Sequence, residues 1–293
     1  MRKEFTNVVS NLINTDSNTA LLLGDIGVYG FREALKLYPD RVLNMGILEQ
    51  SMVGVGAGLA SEGVTPFIHS IAPFLVERAL EQIKVDFGYQ NLPGNLISVG
   101  ASFDYAKLGC THHCPSDVSI LSNIPNLDIF IPGHSDELKF QLLRYWNSGK
   151  LNYYRLSEHE NTSAISLELG EIKKVVNGRR AVFIAVGPFL SIALSALSDH
   201  DIEIHYVNSI DSFKSMVIKT SFPGRKVIIY EPYYSGAILL KLSEQISAAG
   251  CEVLQIGVPK KFLENYGTFE EQMQSLELDL NSIQIRAEAF LAK

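Results

Sequence analysis

The stretch that decides the fold is NMGILEQSMVGVGAGLASEGVTPFIHSIAPFL, residues 44–75. A short apolar run, VLNMG (42–46), leads straight into an amphipathic segment that opens near Glu49 and reads as a helix over 49–62. A second apolar run, TPFIHS (65–70), follows. Strand, helix, strand at this spacing is a βαβ unit, which calls for a parallel sheet. Glu49 then sits at the carboxyl end of a strand, where open α/β sheets place their ligands. A helix's first turn also favours an acidic residue through the macrodipole, so spacing alone leaves Glu49 open. Gly54, Gly56 and Gly58 follow on the same helix. Each costs helix stability by ~1 kcal/mol relative to alanine, which makes sense where a backbone or ligand packs very close.

The same alternation runs outward in both directions. Further strands are expected at 20–24, 95–100, 127–132 and 152–157, with helices at 31–38, 73–88, 115–122 and 135–148. Most strand runs are almost wholly apolar, as in strands buried on both faces. Residues 158–178 turn polar and read as a linker. Beyond it come strands at 181–186, 202–207, 226–231 and 251–257, with helices near 189–198 and 235–249. The expectation is α/β throughout, in two domains, 1–165 and 166–293.

Composition agrees with that reading. The 293 residues are 46% hydrophobic and 19% charged, ample for buried cores, and the net charge is −7. No Lys/Arg run marks a nucleic-acid or anionic membrane surface. No apolar run approaches the ~18–20 residues that cross a bilayer, and the amphipathic start lacks the pattern of a signal peptide. Three cysteines make no disulfide framework. A soluble cytoplasmic protein is the expectation.

LGCTHHCPSD (108–117) places Cys110, His112, His113 and Cys114 within five positions, which suggests a metal cluster. Two adjacent histidines between cysteines at this spacing do not match the usual zinc pattern of a Cys pair plus a distant pair. Cys251 lies in the far half without a second cysteine beside it. No metal ligands are assigned in this chain.

Residues 44–75 closely resemble the pyrimidine-binding domain of the transketolase family, above all the separately encoded C-terminal halves of split transketolases. The resemblance continues through ERALEQIKVDFGYQNLPGNLISVGAS (77–102), LGCTHHCPSDVSIL (108–121) and PNLDIFIPGHSDEL (125–138). It extends more weakly over 180–293, including IGVPKKFLENYGTFEE (256–271), which resembles the family's C-terminal domain.

That resemblance implies a pyrimidine-type thiamine diphosphate-binding domain followed by a transketolase C-terminal-like α/β domain. It implies thiamine diphosphate as cofactor, and transfer of a two-carbon ketol unit between sugars. Glu49 matches the glutamate that hydrogen-bonds the aminopyrimidine ring nitrogen so that the thiazolium carbon can lose its proton. Ile47, Leu48 and Met45 are expected to shield that carboxyl from water. Phe74 matches the aromatic that stacks on the pyrimidine. Asp25 and Ile26, in LLLGDIG (21–27), match the loop near the cofactor; Gly46 and Ile47 lie beside the glutamate, and Gln82 lies farther along the Phe74 helix. His112, then His113, match histidines facing the substrate. Arg155 is a further substrate-binding candidate.

The resemblance also shows what this chain lacks. The family binds the diphosphate through Mg²⁺ with a Gly-Asp-Gly motif and a later Asn. No Gly-Asp-Gly occurs here, and Asn44 follows GDIG (24–27) too closely. An N-terminal transketolase subunit is therefore expected to supply Mg²⁺ and the diphosphate cradle. Pairing of two pyrimidine domains would give a heterotetramer. Three positions depart from familiar transketolases: Gly100, Leu108 and, most tellingly, Glu158, where relatives carry a phosphate-binding arginine. A carboxylate there repels phosphate. Two alternatives stay open: a relative that decarboxylates a 2-oxo acid and transfers the acyl unit, to a modified sugar or as the beta chain of a 2-oxoacid dehydrogenase; and a non-catalytic scaffolding half.

Overall fold

The computed structural model describes residues 1–210 and 224–293. Twelve strands among these residues form two sheets. The first is β10 (Ser209–Ile210), β5 (Leu127–Phe130), β6 (Leu151–Arg155), β4 (Gly94–Val99), β3 (Thr65–Ile71), β1 (Thr19–Leu23) and β2 (Val42–Asn44), in that order. All neighbours are parallel except β10, which runs antiparallel to β5. The second sheet is β12 (Glu252–Val258), β11 (Lys226–Tyr234), β8 (Ala181–Val186), β9 (Ile202–Val207) and β7 (Lys173–Val176). It is parallel apart from the β7 edge. The expected α/β class with mostly parallel sheets is what the chain adopts.

Helices α1 (Arg2–Thr15) and α6 (Ser135–Tyr145) pack together on one face of the first sheet, and α3 (Glu49–Ser61) lies on the other. Strand β3 shows how the pleat divides these faces. Phe67 and Ile71 join the cluster formed with α1, while Ile68 joins the one formed with α3. Of the three α3 glycines, Gly56 is the one held tightly within this chain: a Cβ there would lie 2.5 Å from Ile68. Gly58 has open space in its place, so its reason does not lie in this chain's own packing.

Several elements differ from expectation. The helix read over 73–88 is three pieces: a π-helical turn Pro73–Glu77, a short α4 (Leu80–Gln82) and a second π turn, Ile83–Tyr89. The stretch read as a linker contains β7, which is polar because it is an edge strand with Lys173 and Lys174 exposed. Strand β10 follows the second sheet's β9 in sequence yet completes the first sheet. The two sheets are thus stitched together rather than simply linked. Helices Phe269–Ser275 and Leu280–Leu291 close the chain; the first begins with a capping box between Thr268 and Glu271.

Candidate active site

The chain turns from β2 into α3 through Gly46, which has a φ of +74°. That turn delivers Glu49 to the carboxyl end of the first sheet, with 1% of its surface exposed. Its Oε1 accepts a hydrogen bond from Ser70 Oγ at 2.8 Å, and its Oε2 lies 2.5 Å from Arg78 Nη1. The loop after β1 presses on the same carboxylate: a Cβ on Gly24 would sit 3.0 Å from Ser70 Oγ and 3.4 Å from Glu49 Oε1. A side chain there would make Ser70 give way by a few tenths of an ångström.

Arg78 extends the cluster. Its guanidinium lies 4.4 Å from the centroid of the Phe74 ring. Its backbone N–H donates to Pro73 O, the i to i−5 bond of the π turn that sets both side chains. The half-buried Phe74 ring meets the His112 imidazole edge-on, with centroids 5.3 Å apart, and Tyr105 lies 6.4 Å from His112 in the same manner. Glu49, Arg78, Phe74, His112 and Tyr105 therefore form one contiguous row. Ile26, Phe74 and Tyr105 pack on the same apolar cluster, so the 24–27 loop belongs with them.

Asp25 is exposed, with a φ of +59°. It exchanges hydrogen bonds with Asn44, whose Oδ1 accepts from the Asp25 N–H and whose Nδ2 donates to Asp25 Oδ1, both at 3.0 Å. This pair ties the β1 and β2 loops together. His112 is half-buried, and its Nδ1 lies 3.0 Å from Thr111 Oγ1. His113 is buried, and neither of its ring nitrogens has a hydrogen bond of normal geometry. Burial lowers its pKa, only partly opposed by the nearby Tyr105 backbone.

Four expectations change. Ile47 and Leu48 do not shield Glu49: they are 66% and 57% exposed. The shield comes from Ser70, Arg78 and the Gly24 loop, while Met45 packs on the core. Gln82 hydrogen-bonds its neighbour Glu81 instead of joining the row. Arg155 is not at a surface open to substrate: it is 1% exposed and its Nε donates to Asp117 Oδ2 at 2.7 Å. His113 is turned into the protein, while His112 is half-buried against Phe74.

Sequence reasoning missed Ser70, Arg78 and Tyr105. Arg78 carried a signal, four residues after Phe74 on a helix, a spacing that brings side chains together. Ser70 and Tyr105 had none, since their contacts cross the fold. Tyr105 and Leu108 also line a cavity of about 490 Å³ with Asp104, Glu158 and His159. Burial raises the Asp104 pKa to about 7, against the hydrogen bonds it accepts from Glu158 N and Ser157 Oγ. Glu158 itself is exposed.

The arrangement suits the pyrimidine half of a thiamine diphosphate site. A carboxylate has about four lone-pair sites, so Glu49 retains acceptor capacity beyond Ser70 and Arg78. Phe74 offers a half-exposed aromatic face close by, and open space replaces a side chain at Gly46. Among the described residues, no group of three His, Cys, Asp or Glu is placed to hold a metal ion. None of their helices is long and apolar enough to cross a membrane.

Fold and site together define a class: a two-sheet α/β protein with a buried strand-end glutamate, a nearby aromatic and a half-buried histidine against that aromatic. The chain belongs to the family described as transketolase, pyrimidine binding domain, whose model matches residues 1–160. It is 33% identical to an uncharacterised 33.6 kDa protein of the fasciation locus of Rhodococcoides fascians, over 98% of this chain and 93% of that protein. It is also 33% identical to one of the subunits of the apulose-4-phosphate transketolase of Actinobacillus succinogenes, over 59% of this chain and 58% of that protein. A solved structure described as a split-gene transketolase, inactive beta4 tetramer, superposes with a TM-score of 0.87 at 21% identity, covering 99% of this chain and 98% of that one. The chain spans only 46% of the transketolase of Campylobacter jejuni, with a TM-score of 0.82 at 15% identity.

Proposed function

We propose that this chain is one subunit of a thiamine diphosphate-dependent transketolase-like enzyme that moves a two-carbon ketol unit between sugars. The observation that carries the reading is the row from buried Glu49 through Arg78 and Phe74 to His112, at the carboxyl end of the sheet. When bound, the cofactor supplies a carbon nucleophile able to take up and release the ketol unit. Glu49 holds the proton relay at the aminopyrimidine nitrogen, in a position kept from bulk water. Phe74 orients the ring by stacking, and Ile26 and Gly46 bound the space around it. His112 faces the reacting sugar and exchanges protons with its oxygens; Tyr105 fixes the imidazole by its edge-on contact.

Mg²⁺ and the diphosphate cradle are assigned to an N-terminal partner subunit, because the Gly-Asp-Gly motif that the family uses for them does not occur in this sequence. The relative from Actinobacillus succinogenes, itself one subunit of a transketolase, supports a two-chain enzyme. The structural neighbour described as an inactive beta4 tetramer supports self-association of this half, without activity of its own. Exposed Ile47, Leu48 and Val55, on and just before α3, offer the apolar surface that such assembly would bury. We set the domain boundary near residue 165, between β6 of the first sheet and β7, which begins the second. The cytoplasm is the setting we assign.

The test is reconstitution with a Gly-Asp-Gly-containing partner, thiamine diphosphate and Mg²⁺, followed by a ketose–aldose assay with a carbon dioxide electrode. Ketol exchange without gas supports the reading. Carbon dioxide release from a 2-oxo acid would replace it with decarboxylating acyl transfer. No cofactor bound in the complex would leave a scaffolding half.

A further inference from the structure

Arg155 has no place at the cleft, yet it is among the largest fully buried side chains of the protein. Its surroundings show what it holds. The segment from Ser102 to Asp117 leaves the sheet after β4, carries Tyr105 and His112, and returns into helix α5 (Asp117–Leu121). It is an Ω-like loop whose two feet meet: Cys114 N–H donates to Ser102 O at 2.7 Å. Arg155 grips both feet from beneath. Its Nη2 donates to Ser102 Oγ at 2.6 Å on the outgoing foot, and its Nε donates to Asp117 Oδ2 at 2.7 Å on the returning foot.

The grip extends into both sheets. Tyr153 O–H also donates to Asp117 Oδ2, at 2.8 Å, and pairs with Ser98 Oγ at 2.7 Å, tying the returning foot to β6 and β4. Ser102 Oγ donates to Pro232 O on β11, which Arg155 Nη2 also reaches at 3.4 Å. Tyr234 N–H donates to Pro115 O at 2.8 Å, so β11 holds the returning foot from the other side. A buried ion pair is often no more stable than apolar packing of the same volume, so its stability alone does not explain it. What a planar, multidentate guanidinium provides is fixed geometry between several acceptors at once.

We propose that Arg155 is the positioning residue of the Ser102–Asp117 loop, acting through both feet to set His112 and Tyr105 against Phe74. This rests on the assignment of His112 to the reacting sugar. It assigns Arg155 a part in turnover without substrate contact.

The test uses the reconstituted complex and three variants: Arg155→Lys, Arg155→Met and Ser102→Ala. The lysine variant keeps a charge for Asp117 but has a single donor head, unable to span both feet. Expected is a 10- to 100-fold fall in kcat with substrate KM within threefold of wild type. Amide hydrogen exchange, measured on the chain with or without its partner, should quicken at least tenfold across 103–113, while β3 and α1 stay protected. Ser102→Ala, which removes one hydroxyl, should move both readouts the same way by a smaller factor, even where Arg155→Met does not fold. A raised KM with unchanged kcat would mean Arg155 binds substrate after all. Exchange quickening equally throughout both sheets would make it an ordinary stabilising pair. Either result, or unchanged loop exchange, overturns the proposal. If the wild-type complex shows no ketol transfer, the functional reading fails, whereas the exchange pattern still decides the grip on the loop.

Discussion

Replacing Glu49 by glutamine should separate fold from chemistry. The two carboxylate oxygens have different partners, Ser70 Oγ at 2.8 Å and Arg78 Nη1 at 2.5 Å. In Glu49→Gln the amide oxygen can face Arg78 and the NH₂ group can donate to Ser70, whose hydroxyl rotates to accept. No buried group is left without a partner. What is lost is the charged character of the contacts, the difference between ~1.5–3 and ~0.5–1.5 kcal/mol for a hydrogen bond. The Arg78 side chain is 39% exposed, so solvent screens part of that difference. The net cost is about 1 kcal/mol, a fall in Tm of roughly 2–4 °C. Chemistry should suffer far more, because an amide cannot relay a proton to the aminopyrimidine. General acid–base contributions run to ~10²–10⁴-fold, and deuterium exchange at the thiazolium carbon should slow by at least that range. The assay is quenched-flow proton NMR on the assembled complex, beside a thermal melt. Exchange within threefold of wild type would refute the role of Glu49. A Tm loss above 10 °C would refute the view that its pairing is replaceable.

Other outcomes follow from the same geometry. Glu158 lines the cavity beside Tyr105, so Glu158→Arg should improve a phosphorylated aldose acceptor by about ten- to a hundredfold in kcat/KM, the value of one charge-assisted contact. High wild-type activity on phosphorylated acceptors, unchanged by the substitution, would defeat this. His69 is fully buried, and burial lowers its pKa from 6.5 to about 4. Between those values the unfolded chain binds the proton and the folded chain does not, so His69 costs stability as pH falls from 6.5 to 4. Relative to His69→Gln, wild type should lose roughly 3 kcal/mol between pH 7 and pH 4, measured by urea unfolding. A constant difference across that range would show that His69 charges freely in the fold.

Much of the fold was legible because strands buried on both faces are written as apolar runs. Strands 181–186 and 202–207 match their expected bounds residue for residue. The π turns at 73–77 and 83–89 were not legible, because the residues that form them suit an ordinary helix equally well. Lys173 and Lys174 hid β7, since an edge strand needs no apolar run, and β10 is two residues long. Glu49, Phe74 and His112 were proposed from their motifs, and the structure sets them in one row. Their connection through Arg78 was not legible, because Glu49 and Arg78 meet across 29 residues of sequence. Arg155 reads in the sequence as a substrate-binding residue because its partner, Asp117, lies 38 residues away in the chain.

The central claim is that this chain brings only the pyrimidine side of a shared cofactor site. Isothermal titration of thiamine diphosphate tests it most directly, into the chain alone and into the chain with its Gly-Asp-Gly partner, each with and without Mg²⁺. The expected result is little heat from the chain alone under either condition, and saturable, Mg²⁺-dependent binding once the partner is present. Tight, Mg²⁺-dependent binding by the chain alone would contradict the claim.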